Sequence, residues 1–226
     1  MRKIQYIIVL VGAILAILYF VNKKQETIVP AVIPPVVTNT EPAEPIELCF
    51  AKFGVPDKNG NYEKYTLRLI LDGEKVTGEL NLLPAEKDMK TGDFRGTVSP
   101  VDKITMARTA DLEWFTFAEG INTKEELRII FGEGTASIPA YTLSLTDVAC
   151  ADLAERANVE NYLREDISNL SPVKPVLGGT WYVVSVVIDL GKNSGTVIYE
   201  DGHIQEKRNF TYVANDRQEI VSMVIN

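Results

Sequence analysis

The chain is poor in the residues that most often carry chemistry. Among 226 residues there is a single histidine, His203, and there are two cysteines, Cys49 and Cys150. One histidine excludes a multi-histidine zinc site, and cysteines 101 positions apart leave no C-x-x-C for structural zinc or thiol redox work. No G-x-S-x-G elbow is present, so His203 lacks a companion nucleophile and reads as a solvated residue beside the Asp201-Gly202 turn. Gly132-Glu133-Gly134 lacks the third glycine, the lysine and the following helix of a phosphate loop, and reads as a hairpin turn. Basic residues are also scarce. Beyond residue 24 there are 19 Lys and Arg against 31 Asp and Glu, a formal charge of −12, which excludes nucleic acid as a partner and disfavours anionic headgroups.

What the chain does have, at its start, is eighteen uncharged residues, 4 to 21, apolar except for Gln5 and the hydroxyl of Tyr6 and followed by Lys23-Lys24. As a helix this run would be about 27 Å long, close to the hydrocarbon thickness of a bilayer, and it holds only one tolerated glycine, Gly12. A cleaved secretory signal would need small residues before its cut, whereas Ile17, Leu18, Tyr19, Phe20 and Val21 are bulky, and the first cysteine lies too far downstream for a lipobox. Residues 1–24 are therefore expected to be an uncleaved transmembrane anchor. Arg2, Lys3 and the amino terminus slightly outweigh Lys23 and Lys24, which puts the N-terminus in the cytoplasm and the rest of the chain outside.

Residues 25–46 have no periodicity and carry Pro30, Pro34, Pro35, Pro42 and Pro45. Proline removes a donor and favours extended conformations, so this segment reads as a semi-rigid stalk of at most about 70 Å. Pro34-Pro35 lacks the flanking pattern of a recognition motif.

From residue 47 to 226 the pattern is mainly β. Tyr65, Leu67, Leu69 and Leu71 alternate with polar positions, Asp72-Gly73 follows, and Val76, Gly78, Leu80 and Leu82 alternate in turn, the signature of a hairpin. Further strands are predicted around Phe94 to Val98, Leu112 to Phe117, Glu126 to Phe131 and Tyr141 to Val148. Short, turn-linked strands of this kind imply an antiparallel barrel or sandwich over 47–150. In 151–170 the period changes: Val159, Leu163, Ile167 and Leu170 form an apolar stripe, Asn158 is a candidate cap and Pro172 a stop. A shorter helical piece, Ala151 to Arg156, precedes it, so one or two short helices are expected, with Glu155, Arg156, Arg164 and Glu165 on a wet face. Residues 176–226 then read as a four-stranded meander opening on the nearly continuous apolar run Trp181 to Leu190, which suits a strand covered on both faces.

Cys49 opens the folded region and Cys150 closes its first β block. Outside the cytosol the two can pair; the alternative is two buried free thiols.

Gly179-Thr180-Trp181 resembles the G-x-W signature that opens the first strand of lipocalins and related calycin barrels. The resemblance implies a barrel whose tryptophan closes one end and whose interior holds an apolar ligand, although only 45 residues follow Trp181. More broadly, YTLRL at Tyr65 to Leu69, LPAEKDMKTGDFRGTV at Leu83 to Val98, KEELRIIFGEGTA at Lys124 to Ala136 and the stretch Leu177 to Phe210 look like uncharacterised exported or membrane-anchored bacterial proteins, a resemblance that implies no activity.

Several groups of acidic residues have spacings that bear on metal binding or hydrolysis. Asp57, Asn59 and Asn61 have the spacing of the first three ligands of a calcium loop, but the positions for its glycine and twelfth-place glutamate hold Tyr62 and Arg68, so the EF-hand reading fails. Asp111 and Glu113 alternate on one strand about 7 Å apart, a spacing compatible with glycan cleavage, with Trp114, Phe115 and Phe117 either a sugar-stacking surface or, the commoner use of aromatics, core packing. Glu125-Glu126 and Glu86-Asp88 fit equally well as solvated charges. No metal site, cofactor or catalytic residue is assigned. The expectation is a single-pass, extracytoplasmic bacterial β domain acting as a non-catalytic binding or envelope-associated module, its partner an unknown protein or small molecule. The alternatives are a calycin-like barrel for an apolar ligand and a carboxylate-dependent glycan hydrolase.

Overall fold

The computed structural model describes residues 44–226 except 59 and 86–88. The expected anchor and the stalk as far as residue 43 lie outside the described residues, as do Asn59, Glu86 and Asp88. Among the described residues no helix is long and apolar enough to cross a membrane.

Eight antiparallel strands, in sequence order, close into a barrel: β1 (Ile46–Phe53), β2 (Lys64–Asp72), β3 (Lys75–Leu83), β4 (Lys90–Val98), β5 (Arg108–Ala118), β6 (Ile121–Gly132), β7 (Thr135–Ile138) and β8 (Leu143–Val148). The seam is made where β1 pairs with β8, Cys49 facing Val148 and Ala51 facing Thr146. Because side chains alternate across a strand, every second residue points inward, and Leu67, Leu69, Leu80, Ala110, Trp114 and Ile129 are among those that meet in one buried cluster. Of the barrel and sandwich alternatives, the barrel is the one formed. Gly78 of β3 leaves room for its neighbours: a Cβ there would lie 1.9 Å from the Arg68 carbonyl oxygen and 2.6 Å from Cζ of Phe94. The last predicted strand of this block starts later than expected. Pro139–Tyr141 form a 3-10 turn that ends on Thr142 in the left-handed region, so Tyr141 belongs to the turn, and the four-residue β7 precedes it.

One helix, α1 (Cys150–Leu170), follows the barrel. Of the one or two short helices expected, a single one forms, running without a break through both stretches. Asn158 is an interior helical residue rather than a cap, and its side-chain amide donates to the carbonyl of Gln218, 2.7 Å away. With no proline or glycine between Ala151 and Leu170, nothing interrupts the backbone bonds. Val159, Leu163 and Ile167 are buried against a second sheet, and Leu170 packs at its margin.

That sheet is a meander of β9 (Tyr182–Asp189), β10 (Ser194–Glu200), β11 (Gln205–Ala214) and β12 (Ile220–Ile225), in the order β12-β11-β10-β9. Trp181 stands just before β9, in this sheet and not in the barrel. Its ring meets Tyr199 edge-on at 4.9 Å, and its Nε1 donates to the carbonyl of Val173. The end-closing role implied by the calycin resemblance therefore does not apply to it. The fully buried barrel tryptophan is Trp114 of β5, whose Nε1 donates to Gly92.

The apolar run of β9 lies at a sheet edge, and both its faces are nonetheless covered. Val183, Val186 and Ile188 belong to the cluster under α1, whereas Ser185 lies beneath Gly60 of the β1–β2 loop, where a Cβ would approach its Oγ to 2.5 Å. Side chains satisfy the edge carbonyls. Arg164 donates to Val183, Tyr62 to Val186 and Arg156 to Ile188.

Candidate functional site

The inside of the barrel is filled by its own side chains, so space for a ligand lies on its outer wall. Because β1, β2 and β3 point alternate residues outward, Glu47, Cys49 and Phe53, then Lys64, Thr66 and Arg68, then Glu79, Asn81 and Leu83 form three parallel rows. Helix α1 runs beside these rows. It contributes Ala151, Leu153, Ala154, Arg156, Ala157, Glu160 and Arg164, and the space between is an open groove of about 1030 Å³, large enough for an extended ligand.

A disulfide between Cys49 and Cys150, with Cα atoms 5.2 Å apart, closes one side of the groove by tying β1 to the first turn of α1. Glu47 lies close enough to both sulfurs for the three to resemble a metal-ligand set, but both sulfurs are consumed in the bond. Lys64 crosses from β2 to the helix and reaches both carboxylate oxygens of Glu160 at 2.7 Å. Arg68 pairs with Glu47, and Asn81 donates to Thr66 and Glu79. Small alanines on the helix and Leu83 and Met89 opposite supply apolar surface. The wall is thus of mixed charge with apolar patches, and its ionic groups are largely paired with one another.

At one end the groove meets a smaller pocket of about 180 Å³, with which it shares Lys64, Leu83, Glu160 and Arg164. The pocket is completed by Gly60, Asn61 and Tyr62 of the β1–β2 loop, by Pro84 and Ala85, and by Val184, Ser185 and Val186 of β9. Burial pushes the Tyr62 hydroxyl up to about 12, and Glu160 nearby reinforces the shift, so the group stays a donor at neutral pH.

The acids considered for hydrolysis are elsewhere. Asp111 and Glu113 point outward on β5 away from both recesses, Asp111 bonded to Arg128 at 2.7 Å and Glu113 to Lys124. The hydrogen bond from Lys124 holds Glu113 below the usual carboxylate range, the reverse of what a general acid needs. Trp114 is interior, and Phe115 and Phe117 are exposed, with the Arg95 guanidinium 5.0 Å from the Phe115 ring centre. Glu125 accepts from Lys90 at 2.6 Å. Asp57 accepts the backbone N–H of Asn61 at 2.8 Å, the geometry of a turn. His203 is exposed, and its backbone N–H bonds to Asp201. Asp201 accepts three backbone N–H groups, from Val176, His203 and Ile204, which hold its carboxyl below the usual range.

Comparison with protein-family models, curated proteins and solved structures finds no match to this chain. The functional reading accordingly rests on the groove and its pocket.

Two of the helix charges differ from the wet face expected of them: Glu155 accepts from Tyr212 at 2.7 Å and Arg156 lies 4.8 Å over the Phe53 ring, whereas Arg164 and Glu165 are exposed as expected, Arg164 also donating to the edge carbonyl of Val183. The sequence signal for Ser185 is a lone hydroxyl inside Val183-Val184-Ser185-Val186-Val187, where an apolar side chain would otherwise continue the run.

Proposed function

We propose that the chain is a membrane-anchored binding module without catalysis, which uses the groove between the outer barrel wall and α1 as its binding surface. The observation that carries the reading is the groove itself. It has the volume of a ligand site, polar groups from three strands and one helix converge on it, and a covalent bond braces its walls. Burial of the barrel core residues on all sides supports an external rather than an internal site, which weighs against a calycin-like apolar ligand. Ion-paired, outward-facing Asp111 and Glu113 weigh against the hydrolase reading.

The apolar run at residues 4–21 and the proline-rich stalk support delivery of this domain to the outer face of a bacterial cell membrane, and a disulfide suits such a compartment. The test is photocrosslinking in intact cells, with the reactive group placed in turn at Met89 and Ala154 in the groove and at Phe115, exposed on β5 outside the groove. A discrete adduct from the first two positions and none from Phe115 is the expected result. Equal labelling from all three, or none, contradicts the assignment.

A further inference from the structure

We propose that the loop between β4 and β5, residues 99–107, is a membrane-contact loop that seats Val101, Ile104 and Met106 in the interfacial layer of a lipid bilayer. Ile104 is 93 % exposed, and Val101 and Met106 are each about half exposed. Exposed apolar side chains gathered in one short loop form a patch rather than scattered surface residues, and such a patch marks a contact with lipid or protein. The loop is also built to leave water. The Asp102 carboxylate accepts the backbone N–H groups of Ile104 and Thr105 at 2.8 and 2.9 Å. The N–H of Met106 bonds to the Asp102 carbonyl, and that of Asp102 to the Ala107 carbonyl. Backbone groups satisfied inside the loop can enter a layer poor in water without forfeiting their bonds. The same bonds hold the loop in one shape, with Met106 in the left-handed region, so little conformational freedom is lost on contact.

The place of the loop in the barrel decides between lipid and protein. Ile46, the first residue of β1, pairs with Leu71 beside the β2–β3 turn, and the N–H of Val98 bonds to the carbonyl of Glu74 in that turn. A Cβ on Gly132, where β6 ends, would lie 2.7 Å from the Met106 carbonyl oxygen. The loop therefore lies at the barrel end where the chain enters from residues 1–43, which carry the apolar run 4–21. Helix α1 starts near this end, bonded to Cys49, and leads away from it. Its Arg156 lies over Phe53 and its Glu160 meets Lys64, both at the far end, where the second sheet packs under the β1–β2 loop. Exposure alone does not single out the loop, because Ile121, where β6 begins at the far end, is 60 % exposed. The entry of the chain does. Lys103 beside Ile104 suits a lipid phosphate, whereas Asp72, Glu74 and Glu133 on the neighbouring turns disfavour a surface of net negative charge, so the lipid that fits is zwitterionic. The inference rests on the reading of residues 4–21 as an anchor and is independent of the groove.

The test uses the full-length protein in phosphatidylcholine vesicles, its disulfide intact, with an environment-sensitive fluorophore on a cysteine introduced as I104C or, as the far-end control, I121C. Both positions are exposed, so neither label disturbs the core. Quenching by lipids that carry a spin label on the acyl chain is expected to be about three-fold stronger for I104C than for I121C. Adding V101D and M106D to I104C should return the label to a water-like emission while the protein still floats with the vesicles. Equal quenching at the two positions, a water-like label at I104C in protein that floats, or no effect of V101D and M106D would overturn the inference and leave the anchor in place. Protein that does not float with the vesicles would overturn the anchor and the inference together. A label that is exposed in pure lipid but shielded in native membranes would make the loop a protein contact and overturn the lipid assignment.

Discussion

Cys49 and Cys150 join the first barrel strand to the first residue of α1 across 101 positions of sequence, so the bond encloses nearly the whole barrel and fixes the helix against its outer wall. In the chain-entropy picture a loop of that length contributes up to about 4.7 kcal/mol by restricting the unfolded chain. C150S, and wild type under reducing conditions, should unfold at markedly lower urea concentration than the oxidised protein. Equal midpoints would show that the bond contributes nothing to the fold.

Trp114 is fully buried and donates to Gly92 at 3.0 Å, and Tyr141 meets its ring edge-on at 6.0 Å. Lys90 lies 5.5 Å from the same ring and bonds to Glu125 and Tyr141, capping the tryptophan with a polar cluster. W114A should cost about 3–5 kcal/mol, the range for removal of a large core aromatic. Urea unfolding followed by circular dichroism measures this, and a loss below about 1 kcal/mol would mean that the barrel interior is not packed around this ring.

Tyr62 links the β1–β2 loop to the edge of β9, and its hydroxyl is raised to about 12 chiefly by burial. Below pH 10 the folded and unfolded chains both keep its proton, so its stabilisation is fully present. Between pH 10 and about 12 the unfolded chain ionises first, and stability falls until the folded form titrates too. Tyr212, raised by burial and by its bond to Glu155, extends the fall to higher pH. Y62F should be less stable than wild type at pH 8, having lost the bond to Val186, and should lose less on going to pH 12. Parallel pH profiles for the two proteins would remove Tyr62 from this role.

The sequence-based expectation of an anchor makes its own prediction. A periplasmic-type reporter fused after Asn226 should be active and a cytosolic one silent, and the protein should sediment with membranes until detergent is added. The opposite pattern of reporters would place the domain on the other side of the bilayer. Release without detergent, with residues 1–24 missing, would make the apolar run a signal peptide.

The parts of the fold that were legible in the sequence are those set by local periodicity. Leu67, Leu69 and Leu71 alternate because one face of β2 fills the barrel, and Val159, Leu163 and Ile167 recur at helical spacing because one face of α1 lies on the sheet. The four-residue β7 escaped notice because Thr135–Ile138 is too short to show a period. Gly179-Thr180-Trp181 misled for a related reason: three residues report a turn into a strand and a buried indole, but not which sheet the strand joins. A separation of 101 residues said nothing about whether two thiols meet. The groove was invisible because it is assembled from β1, β2, β3 and α1, none of which carries a site by itself.

The most direct measurement of the central claim fills the groove. Ala154 is an exposed helix residue on its wall, so A154W obstructs the space without touching the core. Retention of the species crosslinked at Met89 should fall about ten-fold in A154W, with an unchanged melting temperature. Full retention by A154W would show that the binding surface lies elsewhere on the molecule.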